Sequence, residues 1–235
     1  MIAVYYHSMS ENFVVPTVDI SAYVTDASAE SKAAVARALD IACRTVGFIQ
    51  IVGHGVPTAA TDGLAQAMDD FFGQDLEAKK QWKRPAKENR GYSPPKSESL
   101  SYSLGVDPVT RMNDFFEAFN IGSSEADFPG FTDETGDYAA NTWPDTPGFE
   151  ERVSTYFAEA RRVAYTLQDA FADALGVDRD VFGAVSDHPI NVLRMNNYAL
   201  PPGSIELGAD LTGMGEHTDY GMVTVLWADR VEGLQ

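Results

Sequence analysis

At 235 residues the chain is long enough to bury a sizeable core, and its 44% hydrophobic content is ordinary for a globular protein, so one structural domain overall is expected. The formal net charge of −18, from 35 acidic against 17 basic residues, would be repelled by a nucleic-acid backbone or an anionic membrane surface, so neither is expected as a partner. The single cysteine, Cys43, cannot form an intrachain disulfide, no run reaches transmembrane length, and "MIAVYYHSMSENF" lacks a basic n-region and a cleavage site, which together lead to the expectation of a cytoplasmic protein.

In chain order, residues 1–14 read as a flexible N-terminal extension, with Met9 a second place at which the chain could start. Residues 14–20 follow as a short extended segment. Over 28–46 the apolar residues Val35, Leu39, Ala42 and Val46 recur at helical spacing, and Gly47 is placed to end that helix. Cys43 falls on it as a buried thiol. "FIQIV", residues 48–52, is β-rich and predicted to be buried on at least one face, and "GHGVP" turns the chain. Leu64, Met68, Phe71 and Phe72 mark a second amphipathic helix. Residues 84–147 are rich in Pro, Gly, Ser and Asp, which predicts long surface loops of the kind that border a site, interrupted by a strand at "DFFEAFNIG". A strong helical period returns over 149–175, closed by Gly176. "NVLRMNNYAL" and "GMVTVLW" then read as strands joined by a loop.

Several chemistries lack their signatures. Gly208, Gly213, Gly215 and Gly221 do not match a dinucleotide fingerprint, no lysine followed by Ser or Thr completes a P-loop, and neither His-Glu-x-x-His nor Gly-x-Ser-x-Gly occurs. What remains is "GEHTDYGMVTVLW". In an extended strand His217 and Asp219 point to one face, with Thr218 directed oppositely, so the pair forms a two-toothed metal clamp. An imidazole and a carboxylate suit Fe(II), Mn(II) or Zn(II), and one further histidine would complete the facial triad of non-haem iron oxygenases. Taken alone, the tripeptide is also what a surface histidine beside a solvated aspartate looks like.

Wider context comes from five motifs in order. "VPTVDIS" with a following helix and "CRTVGFIQIVGHGV", then "RGYSP", "DFFEAFNIG", "LRMNNYALP" and "GEHTDYGMVTVLWADRVEGLQ" resemble the isopenicillin N synthase-like branch of the 2-oxoglutarate- and Fe(II)-dependent dioxygenases, from about residue 15 to 235. The resemblance implies an α+β fold: a double-stranded β-helix (jelly-roll) core with N-terminal helices packed on it. Residues 15–135 would form the N-terminal region, and 136–235 the helix and first strands of the core. It implies His217 and Asp219 as iron ligands, Asn196 and Tyr198 as hydrogen-bonding partners of 2-oxoglutarate, and Arg90 and Tyr92 at the substrate mouth. Fe(II), 2-oxoglutarate and dioxygen are the implied cofactor and cosubstrates. A small molecule is the implied substrate, to be hydroxylated, desaturated or cyclised.

An amide and a phenol at i and i+2 can grip a carboxylate without adding charge, although Tyr198 also reads as a core aromatic, and Arg90 with Tyr92 as loop packing. Ala199 departs from the proline that the family often has after the tyrosine. Among the other histidines, His54 in "GHGV" is expected to be structural, His188 to sit in a helix-to-strand loop, and His7 to lie in the N-terminal extension. In the family the third histidine and the arginine that holds the far carboxylate of 2-oxoglutarate come later than Asp219, so these 235 residues are expected to hold an incomplete core and to be catalytically silent alone. An oxidase that does not use 2-oxoglutarate and a non-catalytic binding module stay open as alternatives.

Overall fold

The computed structural model describes residues 14–95, 97, 116–198, 219, 221–229 and 231. It is α+β, with helices and two small sheets. Two compact units draw on interleaved stretches of sequence: one on residues 1–57, 159–187 and 223–235, the other on 58–158 and 188–222.

In the first unit, β1 (Thr17–Asp19) pairs in parallel with β2 (Gln50–Val52), Val18 lying opposite Ile51. A parallel pair needs a crossover, here supplied by α1 (Ser21–Val24) and α2 (Ala29–Thr45). Helix α2 starts where the Ser28 hydroxyl accepts the Ser31 N–H, and it buries Ala36, Leu39 and Ala42 along one stripe. Cys43 is half-buried on this helix, and burial together with Asp40 pushes its thiol upward, away from the reactive thiolate. The core gathers Val18, Ile20 and Leu39 with Val163, Leu167 and Ala170 from the later part of α5 (Phe149–Leu175). Ile49 and Ile51 pack on it while Phe48 and Val52 are exposed, so the predicted strand is one-sided, as period-2 alternation demands. The Tyr23 hydroxyl donates to Asp173 at 2.7 Å, and Arg179, just before α6 (Asp180–Gly183), pairs with the same carboxylate at 2.7 Å.

The second unit contains α3 (Thr58–Phe72), α4 (Leu76–Lys80) and an antiparallel sheet in the order β3 (Gly91–Ser93), β4 (Glu117–Gly122), β5 (Val192–Asn197). The central strand β4 is buried along its whole length. Rings from two helices and two strands meet on one face of the sheet: Phe71 lies edge-on to Tyr92, Phe119 and Phe72, and Phe149 closes on Phe119 at 5.3 Å.

Two expectations need amendment. The loop-rich stretch contains a further short strand, β3, which was not anticipated; Gly91 begins it at φ +73, where an added Cβ would lie 2.4 Å from the Trp82 carbonyl oxygen. The run "MVTVLW" forms no strand ladder among the described residues: Val223 and Val225 pack on the first unit's core, while Met222, Leu226 and Trp227 are exposed. Its alternation is real, but a strand also needs a hydrogen-bonding neighbour.

Candidate cosubstrate site on the β3–β4–β5 sheet

The register of the sheet sorts its side chains. Tyr92, Phe119 and Met195 stand in a row across the three strands, and Glu117 lies opposite Asn197 on the same face. Ala118 faces Asn196, and Asn120 faces Arg194, on the other. Asn196 therefore turns away from the aromatic core, together with Arg194 and Tyr198 at i−2 and i+2.

The core-side face is held by a buried charge. Lys79 is 6% exposed and Glu117 4% exposed, yet Lys79 Nζ donates at 2.8 Å to both Glu117 Oε1 and the Phe72 carbonyl. Asn197 Nδ2 donates to the same Glu117 oxygen at 2.9 Å, and the Tyr92 hydroxyl donates to the other. Burial first, then the Glu117 hydrogen bond and charge, push the Tyr92 phenol well above its ordinary range, so it stays a donor at any physiological pH. Buried charges paired and hydrogen-bonded in this way hold the surrounding geometry, because leaving either one unpaired is costly.

On the other face, Arg194 Nε donates to Asn196 Oδ1 at 3.0 Å. The Arg194 guanidinium carbon lies 5.1 Å from the centre of the buried Phe116 ring, and the Tyr198 ring lies 5.5 Å from that same ring. Tyr198 is 50% exposed, so it is not a core aromatic. A donor amide, a phenol and a guanidinium on one strand face suit an oxyanion ligand.

The two residues of "RGY" are placed differently from expectation. Arg90 is 4% exposed, and its guanidinium donates to the carbonyls of Asn89, Ser123, Asp137 and Ala139, at 3.0, 2.6, 3.3 and 3.2 Å. Burial pulls its basicity below the usual guanidinium value, with Asp137 and Glu88 opposing. Four of its five donors are engaged, so it ties β4 to a loop and is not free to pair with a substrate carboxylate. A Cβ at Gly122 would stand 2.6 Å from the Arg90 guanidinium and 2.7 Å from the Asn191 backbone oxygen, so a larger residue there would force a shift. Tyr92 is 1% exposed and committed to Glu117. Both assignments to a substrate mouth are therefore corrected to structural roles.

Of the metal pair, Asp219 is exposed and His217 lies outside the described residues, as does His7. His54 is structural as expected: its Nδ1 accepts the Val56 N–H at 3.1 Å and its carbonyl accepts from Arg162. His188 stacks on Phe131 with ring centres 4.7 Å apart, and its carbonyl accepts from the Tyr138 hydroxyl. Sequence reasoning missed Arg194, Phe116, Glu117 and Lys79. Arg194 was detectable, since it lies two residues before Asn196 on the same predicted strand, and a glutamate inside "DFFEAFNIG" signals a buried partner.

Comparison with known proteins bears on the family of the chain. The sequence family described as non-haem dioxygenase in morphine synthesis N-terminal matches residues 15–146, more than half of the chain. The chain belongs to the 2-oxoglutarate- and Fe(II)-dependent dioxygenase superfamily. This dioxygenase-family chain is 27% identical to a probable iron/ascorbate oxidoreductase of Dictyostelium discoideum, over 94% of its own length and 65% of the relative's. It is 31% identical to the 2-oxoglutarate-dependent dioxygenase tropC of Talaromyces stipitatus, covering 91% of the chain and 66% of that relative. Among solved structures it resembles a full-length Neurospora crassa protein in complex with alpha-KG, with a TM-score of 0.69, 26% identity, and coverage of 91% of this chain and 64% of that one. It thus spans a little under two thirds of these relatives. Among its described residues, no helix is long and apolar enough to cross a membrane.

Proposed function

We propose that the protein is an Fe(II)- and 2-oxoglutarate-dependent dioxygenase that oxidises a small molecule by hydroxylation, desaturation or cyclisation. The observation that carries this reading is the likeness, over 91% of the chain, to a structure solved with alpha-KG, which is 2-oxoglutarate. In this reading His217 and Asp219 hold iron within a jelly-roll core, and Asn196 and Tyr198 hydrogen-bond 2-oxoglutarate. Bound iron and 2-oxoglutarate supply the activation of dioxygen. The chain's own residues supply ligation, orientation and cosubstrate binding. A half-exposed phenol and an amide on one strand face, backed by the Lys79–Glu117 pair, support that role for β5. The net charge of −18 and the single half-buried cysteine support a small-molecule substrate and a cytoplasmic setting.

The test uses the full-length protein with Fe(II), 2-oxoglutarate and air, reading succinate. His217→Ala and Asp219→Ala should each abolish iron-dependent turnover while the circular dichroism spectrum is retained, since each removes one of few protein ligands. Near wild-type turnover in either variant would end the metal assignment. Tyr198→Phe should raise the apparent KM for 2-oxoglutarate by about tenfold to a hundredfold, the worth of a hydrogen bond to a charged group, with little change in iron affinity. An unchanged KM would remove Tyr198 from the site.

A further inference from the structure

Asn196 presents a chemical ambiguity that its sequence does not resolve. A side-chain amide has an acceptor end and a donor end of almost equal size, and only the donor end attracts a carboxylate. Turned the wrong way, Asn196 would set its oxygen against the anion it is meant to hold. We propose that Arg194 is the positioning residue that decides this: it ties down the acceptor end of Asn196 and so presents the amide N–H group, beside a positive charge, to the carboxylate of the cosubstrate. The proposal rests on the reading of β5 given under Proposed function.

Three features of the structure support it. Arg194 Nε donates to Asn196 Oδ1 at 3.0 Å, and a guanidinium has donors but no acceptor, so it can satisfy only the oxygen end of the amide. The guanidinium is itself seated, 5.1 Å over the ring of Phe116, which is buried and also lies 5.5 Å from the Tyr198 ring. One buried ring thus indexes both Arg194 and the phenol that Asn196 works with. From the opposite face, Asn197 Nδ2 is held at 2.9 Å by Glu117, which prevents β5 from slipping by a residue and turning Asn196 into the core. Charge adds a reason. The protein carries −18 and 2-oxoglutarate is a dianion, whereas Asn196 and Tyr198 are neutral, so a local cation offsets a repulsive field.

A role exercised through Asn196 predicts non-additivity. Binding of 2-oxoglutarate is measured by calorimetry on the full-length protein with Fe(II) under nitrogen, for wild type, Arg194→Gln, Asn196→Ala and the double variant. Melting temperatures report the fold. Arg194→Gln should raise Kd about tenfold in the wild-type background and by a clearly smaller factor when Asn196 is already alanine, where the group it orients is gone and only its charge remains to be lost. Arg194→Lys, gentler on the fold, is carried through the same cycle and should show the same loss of effect. Equal fold-changes in both backgrounds would show that Arg194 acts through its charge alone, and would overturn the positioning role while leaving the dioxygenase reading intact. Binding that Asn196→Ala leaves unchanged would overturn this proposal and the assignment of Asn196. No binding by the wild-type protein would overturn the cosubstrate reading itself.

Discussion

Glu117 shows how one charged residue in an apolar run sets the geometry around it. Its carboxylate accepts from Lys79, Asn197 and Tyr92 in a place from which water is almost excluded. Taking two charges out of water is costly, and their attraction repays the cost only while both are present. Glu117→Gln leaves the Lys79 ammonium unpaired and should lower stability by about 3 to 5 kcal/mol in urea denaturation. The double variant Lys79→Met, Glu117→Gln should recover most of that loss, because no buried charge remains. A double variant as unstable as the single one would show that the pair is not the source of the effect. Arg90 belongs to the same scale. As "RGY" in sequence it reads equally well as a substrate clamp, and only the four carbonyls around it reveal a tie between loop and strand.

Elements were legible to different degrees. Helix α5 occupies residues 149–175 as its apolar period predicts, because a 27-residue amphipathic pattern is too long to be overridden by neighbours. The short pieces were less certain. Strand β3 has only three residues and exists because β4 lies beside it. Conversely, Val223 and Val225 alternate as a strand would without pairing among the described residues.

The turn at residues 133–138 is an element defined by one carboxylate. Asp133 accepts from the N–H groups of Thr135, Gly136 and Tyr138, each at 2.9 Å. Loss of hydration works to raise its pKa, but these bonds and the Thr135 hydroxyl outweigh it and bring the carboxyl to about 2. Because the folded value lies below the unfolded one, about 3.9, the stabilisation is fully present above about pH 4 and is lost as pH falls toward 2. Asp133→Asn should therefore melt below wild type by an amount that is constant above about pH 4 and shrinks toward pH 2. A gap that persists unchanged to pH 2 would remove Asp133 from the acid response.

At the scale of the whole molecule, a net charge of −18 on 235 residues makes the folded state repel itself. Added salt screens that repulsion over about 10 Å at 0.1 M, so the melting temperature should rise between about 10 mM and 200 mM sodium chloride. A flat or falling curve would mean that local ion pairs such as Arg179 with Asp173 outweigh the overall repulsion. The sequence by itself determined the α+β class, the long helix and the family, because hydrophobic period, turn residues and ordered motifs are properties of the chain alone. It also marked Asn196 and Tyr198 as sharing a strand face, since that follows from the pleat. Only the tertiary structure decided that Arg90 and Tyr92 are structural and that Lys79 meets Glu117 across 38 residues. Those outcomes depend on which donors and acceptors are brought together in space, and no local pattern encodes a partner that lies dozens of residues away.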